Sequence, residues 1–446
     1  MGGLRIAYPL FFLSIVSLLS VVESYNVHKG DASNLLHIRA RLNDNSKRLQ
    51  SRHATFAHTN KRQISSGLSA VTSQVGESPR DKFLAFAKEK RITHRKLLER
   101  AEVGIYLTLW YFFSAVYNIY NKKALNCLGL PWFVATVQMG TGLLLFTPLW
   151  LLKFREFPTS NFSELLEVFG YMKSVALYQT LTHISGVIAL GSGVVSFTQV
   201  IKASEPVFTA GISAIFLKQF LPWQVYTTLI PICVGVAVAS TTEITFSWYC
   251  LLAGISANIF AAARGVFGKT QMCGDTSCLE QLSPENYYAI LTIISFAMLM
   301  PAMAFIEGGQ ILAVLKGAYA YMKNSGGFVA SIIQQPQLNA LYSRNHFQGL
   351  LYSLYSGILF YLYNEVSFKA LNKVHPVTHA VSNTVKRIVI ILSSVIVFNN
   401  KMTLSGIFGT TLAISGVFLY SITQHLYKDK PQVVKPPLTI SKWASI

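Results

Sequence analysis

The chain has little charge for its length. Of its 446 residues, 13% are Asp, Glu, Lys or Arg and 52% are hydrophobic. An average soluble domain carries about 25% charge, so a water-soluble globular protein is excluded and a polytopic membrane protein is indicated. Acid is scarcer still, with 19 Asp and Glu against 38 Lys and Arg and a net charge of +19. Cysteine is sparse, at five residues, too few for a disulfide framework. Cys127, Cys233 and Cys250 lie in or near apolar segments and read as small hydrophobes. Cys273 and Cys278 share the polar loop QMCGDTSCLE, where a disulfide and two free thiols are both open readings. No His or second Cys pair accompanies them, so no metal site and no cofactor is indicated. Clustered carboxylates at a membrane face are also missing, which leaves a polytopic membrane transferase without support. The stretch GVFGKT (265–270) lacks P-loop spacing and reads as the start of a loop.

The basic excess has a place. Residues 25–100 hold 16 Lys and Arg against 6 Asp and Glu. Such a balance can mark a nucleic-acid or anionic-membrane surface, but a targeting leader accounts for it better, so no nucleic-acid partner is expected. Residues 1–24 (MGGLRIAYPLFFLSIVSLLSVVES) have one Arg, a short apolar core and a small, polar end, the pattern of a signal peptide. A signal anchor is the alternative. Residues 25–79 are basic, poor in acid and without apolar periodicity, as transit peptides are. Residues 80–100 form a basic amphipathic stretch expected at a membrane surface. The segment 25–100 is thus a transit-peptide-like leader and juxtamembrane region.

What is abundant is apolar sequence in span-sized lengths. Between residues 101 and 426 ten such stretches follow one another: 101–121, 131–152, 168–189, 194–217, 222–242, 246–267, 287–306, 347–370, 376–398 and 402–424. Each is long enough for about 30 Å of hydrocarbon. The fold class is therefore all-α and polytopic. The segment from Glu307 to Phe347 reads as a surface loop, and 427–446 as a basic C-terminal tail. Ten spans put both termini on the same side. A weak repeat relates TQVIKASEPVFTAGISAIFLKQFLPWQ (198–224) to SNTVKRIVIILSSVIVFNNKMTLSG (382–406). With five spans per half, the halves would be two inverted repeats enclosing a site near mid-depth.

Charges inside the spans mark that site. Lys386 lies ten residues after Pro376, about 15 Å along the helix and near the middle of the bilayer. Arg387 follows it, and Lys202 is about 12 Å deep in the fourth span. A charge at such depth costs about 2.5–3.5 kcal/mol, so all three should face the interior or a water-filled cavity. Glu205 and Glu365 are intramembrane as well; Glu205, three residues after Lys202, is expected on the same helix face. A structural ion-pair cluster is one reading of these charges. The other is a phosphate site, since Arg grips phosphate bidentately and Lys supplies a point charge. His183, Tyr363 and Ser185 are polar neighbours that are either packing residues or further contacts.

At these residues the chain resembles the plastidic triose-phosphate/phosphate translocator family of the drug/metabolite transporter superfamily. The blocks are FSAVYNIYNKKAL (113–125), FTQVIKASEPVF (197–208) and FYLYNEVSFKALNKVHPVTHAVSNTVKRIVII (360–391). The two-part leader resembles that of apicoplast-type members in protists with secondary plastids. The resemblance implies ten transmembrane helices in two inverted five-helix repeats. It implies counter-exchange of inorganic phosphate for phosphorylated three-carbon compounds across a plastid membrane, and no enzymatic activity. Its phosphate ligands fall on Lys202, Lys386 and Arg387, and its other substrate contacts on His183 and Tyr363. A Thr or Ser is expected three residues after the His; here that position is Gly186, with Ser185 beside it as a weak substitute. The expected partners are inorganic phosphate, small phosphorylated metabolites and the bilayer. A nucleotide-sugar transporter of the secretory pathway shares the fold and is the alternative function.

Overall fold

A computed structural model describes residues 79–158, 162–272, 282–324, 341–374, 376–400 and 402–427. The expected signal peptide, most of the leader, Cys273, Cys278 and the tail from Lys428 lie outside these residues. Every regular element among them is helical: α1 (Pro79–Leu128), α2 (Pro131–Leu151), α3 (Phe162–Ser192), α4 (Val195–Lys202), α5 (Glu205–Phe216), α6 (Trp223–Thr227), α7 (Leu229–Thr241), α8 (Trp248–Met272), α9 (Pro284–Asn324), α10 (Leu341–Lys373), α11 (Pro376–Phe398) and α12 (Leu404–Leu426). The chain divides into Met1–Ile105 and Tyr106–Ile446. In the first unit the basic stretch from Arg80 is helical. The second unit carries everything below.

Among the described residues six stretches are long and apolar enough to cross a bilayer: Pro131–Leu151, Trp223–Thr241, Trp248–Gly268, Glu285–Asn324, Val381–Phe398 and Leu404–Leu426. Their outer faces are oily. Phe305 is 92% exposed and Leu404 85% exposed, a surface suited to lipid rather than water.

Each of the ten apolar stretches falls on helix to within two residues at its ends, but two are broken. The stretch 194–217 is interrupted at Ala203–Ser204, between α4 and α5. Pro206 sits in the first turn of α5, where a missing N–H costs nothing. At the break the Ile201 carbonyl accepts from the Ser204 N–H (3.0 Å), from Ser204 Oγ (2.8 Å) and from Asn258 Nδ2 (2.8 Å) on α8. Asn258 also donates to Ser204 Oγ (3.0 Å), so the break is held from across the bundle. The stretch 222–242 bends at Thr228, between α6 and α7.

Two loop expectations are corrected. Residues 307–324 continue α9, and α10 begins at Leu341, so most of the segment 307–347 is helix. Gly308 and Gly309 suggested a break, but the following ILAVLKGAYAYMKN is rich in helix formers and packs. Tyr321 meets Phe347 of α10 with ring centroids 5.6 Å apart. GVFGKT is likewise helical, inside α8. Glu307 has a definite task in this longer helix. Its two carboxylate oxygens accept from the backbone N–H groups of Trp132 (3.1 Å) and Phe133 (2.7 Å), closing the positive end of α2.

The core joins distant parts of the chain. Tyr117 of α1, Met139 of α2, Val187 of α3, Leu299 of α9, Phe360 of α10 and Ile390 of α11 belong to one buried cluster. Elsewhere α3 runs along α8, and α7 along α12. The last pair meets through small residues. A Cβ added at Gly409 would lie 2.6 Å from the Ala239 nitrogen and 2.8 Å from the Gly235 oxygen. Gly235 faces the Ala413 backbone in the same way, and a Cβ at Gly416 would lie 2.9 Å from the Ile232 nitrogen. The helices touch backbone to backbone, the small-residue packing available to spans in lipid. Gly409→Val is therefore expected to push them apart, costing at least about 1–3 kcal/mol by overpacking. It should lower the thermal midpoint of the detergent-solubilised protein; an unchanged midpoint would mean that the backbones do not meet.

Candidate anion-binding site

A cavity of about 320 Å³ opens within the bundle. Helical spacing explains its walls. Trp110, Ser114, Tyr117, Asn118 and Asn121 recur every three or four residues along α1 and form one stripe. Gln179, His183, Gly186 and Leu190 do the same along α3. Lys202 closes α4, Glu205 opens α5, Asn258 and Arg264 come from α8, Tyr363 and Asn364 from α10, and His379, Asn383, Lys386 and Arg387 from α11. Five of the six residues singled out in the sequence therefore meet here: His183, Lys202, Tyr363, Lys386 and Arg387. Ser185 does not. It lies two residues past His183, about 200° around the helix, and is buried away from the cavity wall.

The charges are unbalanced. Lys202, Arg264, Lys386 and Arg387 line the cavity, and Glu205 is the acid among its lining residues. Arg387, 9% exposed at its side chain, binds Glu205 at 3.1 Å. The break between Lys202 and Glu205 interrupts the shared helix face that their spacing implied, and lets the carboxylate reach α11. Lys202 ends α4, where the helix dipole favours a cation. Its ammonium lies against α3: a Cβ on Gly186 would be 3.3 Å from Nζ. Lys386 lies over the Trp110 indole, 4.6 Å from the ring centroid. The second acid, Glu365, does not take part. It binds Arg155 at 2.5 Å and Lys369 at 3.3 Å, and accepts from Tyr361 at 3.3 Å.

His183 packs its ring against Phe360, with centroids 4.6 Å apart. Its Nε2 is buried and has no hydrogen-bond partner. Tyr363 packs against Tyr117 and Phe360, at 5.2 and 5.4 Å. Behind them runs a bonded row of polar groups. Asn121 Nδ2 donates to Tyr117 OH (3.0 Å), Tyr117 OH to Gln138 Oε1 (3.4 Å), and Gln138 Nε2 to Ser356 Oγ (3.0 Å). Gln199 Nε2 donates to Asn118 Oδ1 (3.1 Å), tying α4 to α1.

Sequence reasoning missed Arg264 and the amide stripe. Arg264 donates to Gln179 Oε1 across the cavity from α8 to α3. It is legible as a charge in an apolar helix, three residues from the end of the stretch 246–267. The stripe was legible as polar residues at helical spacing within FSAVYNIYNKKAL.

The chain matches the model of the Triose-phosphate Transporter family over residues 101–421. The chain belongs to that family. It is a transporter, not an enzyme, and its relatives are plastid phosphate translocators. A triose phosphate/phosphate translocator of non-green plastids from Brassica oleracea var. botrytis is 34% identical over 369 residues, 82% of this chain and 84% of that one. A phosphoenolpyruvate/phosphate translocator from Oryza sativa subsp. japonica is 32% identical, over 82% and 85%. A glucose-6-phosphate/phosphate translocator from Arabidopsis thaliana is 30% identical, over 72% and 75%. Each of these names pairs phosphate with a different phosphorylated compound, on one family scaffold.

Because Gly186 leaves Lys202 room against α3, a branched side chain there should fill the cavity. Gly186→Leu is expected to cut phosphate exchange in liposomes at least tenfold while the protein still reaches the membrane. Wild-type exchange would show that Lys202 does not depend on this space.

Proposed function

We propose that the protein is an antiporter exchanging inorganic phosphate for phosphorylated three-carbon compounds, among them triose phosphate, 3-phosphoglycerate and phosphoenolpyruvate, across a plastid membrane. The observation that carries the reading is the cavity with four cations and one acid on its wall. Lys202 on α4, with Lys386 and Arg387 on α11, clamp the phosphate. His183 and Tyr363 hold the remainder of the substrate. In this reading α1 to α12 form ten spans, two of them broken, arranged as two inverted halves. The two hairpins that follow the charged helices support that relation: both turn through a left-handed residue, Lys218 (φ 52°) and Asn399 (φ 51°). The two-part leader fits delivery to a secondary, apicoplast-like plastid.

Coupling follows from charge. A phosphomonoester carries about −1.5 to −2 at neutral pH. Bound, it offsets about half to two-thirds of the excess positive charge and lowers the cost of closing the halves around the site. Without an anion the cations other than Arg387 would have to enter a dry, closed state with no ion pair, which is costly. The carrier therefore crosses loaded in both directions.

Reconstitution in liposomes tests this. Labelled phosphate uptake should be fast with internal phosphate or a three-carbon phosphate and near zero without; equal uptake in both would remove the coupling. Arg387→Ala removes the bidentate partner of a buried anion, a loss of at least about 2 kcal/mol. It should raise the phosphate KM roughly thirtyfold or more; unchanged transport would remove Arg387 from the site.

A further inference from the structure

Trp110 meets two residues of α11. His379 stacks on the indole with centroids 5.0 Å apart and planes 16° from parallel. Lys386, two helical turns on, has its ammonium 4.6 Å from the same ring. His379 and Lys386 lie seven residues apart, on one face of the helix, so both reach the same ring from α11. Trp110 is 2% exposed and is fixed in place by this packing. The geometry points to a role for Trp110 in the site itself: it is the positioning residue that aims Lys386 at the anion, with His379 as the back-stop that fixes the ring.

The physical reason is the freedom of lysine. Its side chain carries about 2 kcal/mol of rotamer entropy, and its ammonium is a point charge with no preferred plane. Arg387 is oriented by Glu205 at 3.1 Å. Lys202 is confined between the end of α4 and the backbone at Gly186. No salt bridge to Lys386 is present among the described residues, and the charges that act on it are Arg387 and Lys202, both repulsive, and Glu205, attractive but bonded to Arg387. A ring face attracts a cation without neutralising it. The indole therefore holds Lys386 in one position while leaving its charge to a ligand, which a carboxylate at the same place would not do. It also makes a ligand on α11 depend on a residue of α1, across the cavity.

The inference rests on the phosphate reading above, and the test separates the two. Inorganic phosphate binding is measured as the ligand-induced shift in thermal midpoint of the full chain in detergent, for wild type, Trp110→Leu, Lys386→Met and the double variant. Trp110→Leu should weaken binding by about two- to thirtyfold, the range of one cation–π contact. Trp110→Phe, which keeps a ring face, should lose less. In the Lys386→Met background Trp110→Leu should have no further effect, because the residue it positions is gone. Equal weakening in both backgrounds, or none in either, overturns the assignment. If Lys386→Met itself leaves phosphate binding unchanged, the phosphate site is wrong. If Lys386→Met weakens binding and Trp110→Leu does not, only the role of Trp110 falls. Trp110→Met, of intermediate bulk and without a ring, replaces the leucine variant if that one does not fold.

Discussion

Everything in this bundle is arranged around positive charge that is kept in the interior without being cancelled. Lys202, Arg264, Lys386 and Arg387 share a cavity wall with one carboxylate. Full pairing would make the site inert toward anions, and no compensation at all would make the fold too costly. Each cation has its own intermediate device. Arg387 has an acid at 3.1 Å that is itself partly solvated, its side chain 35% exposed. Lys202 has the negative end of a short helix. Lys386 has an aromatic face. Arg264 has the neutral amide of Gln179. In three of the four the partner carries no full charge, so in the proposed function an incoming anion competes with weak partners.

The scaffold follows from that requirement. A helix that ran unbroken through residues 195–216 would leave Lys202 without a helix end and would keep Glu205 on the face of α4. The break at Ala203–Ser204 supplies both, and Asn258 braces it from α8 by donating to the Ile201 carbonyl and to Ser204 Oγ. The amide row from Asn121 through Gln138 to Ser356 has the same logic further out. Asn121 and Tyr117 of the wall are bonded to one another and to Gln138 of α2, which keeps this part of the wall polar and rigid together.

Much of this was legible in the residues, and what was missed has physical causes. Helix positions followed from length and hydropathy. Lys202, Lys386 and Arg387 followed from depth, because a charge at mid-bilayer needs a reason. Arg264 escaped by the same rule, since near a span end the cost of charge falls and a functional Arg resembles a flanking one. Ser185 was proposed for its hydroxyl, but a two-residue step on a helix turns a side chain away. The helix through 307–324 was hidden by paired glycines, whose low propensity is outweighed by packing on α10. The task of Glu307 at the head of α2 is a contact across 174 residues of sequence, and no local pattern announces it.

The glycine seam between α7 and α12 carries a consequence for the membrane around it. Helices separated by side chains leave grooves into which acyl chains can wedge, so their spacing responds to lateral pressure and to lipid shape. At Gly235, Gly409 and Gly416 there is no groove: one backbone lies directly on the other. These two helices must tilt as a single body. A change in bilayer thickness therefore reaches them as a rotation of the pair, and any adjustment between helices has to occur elsewhere in the protein.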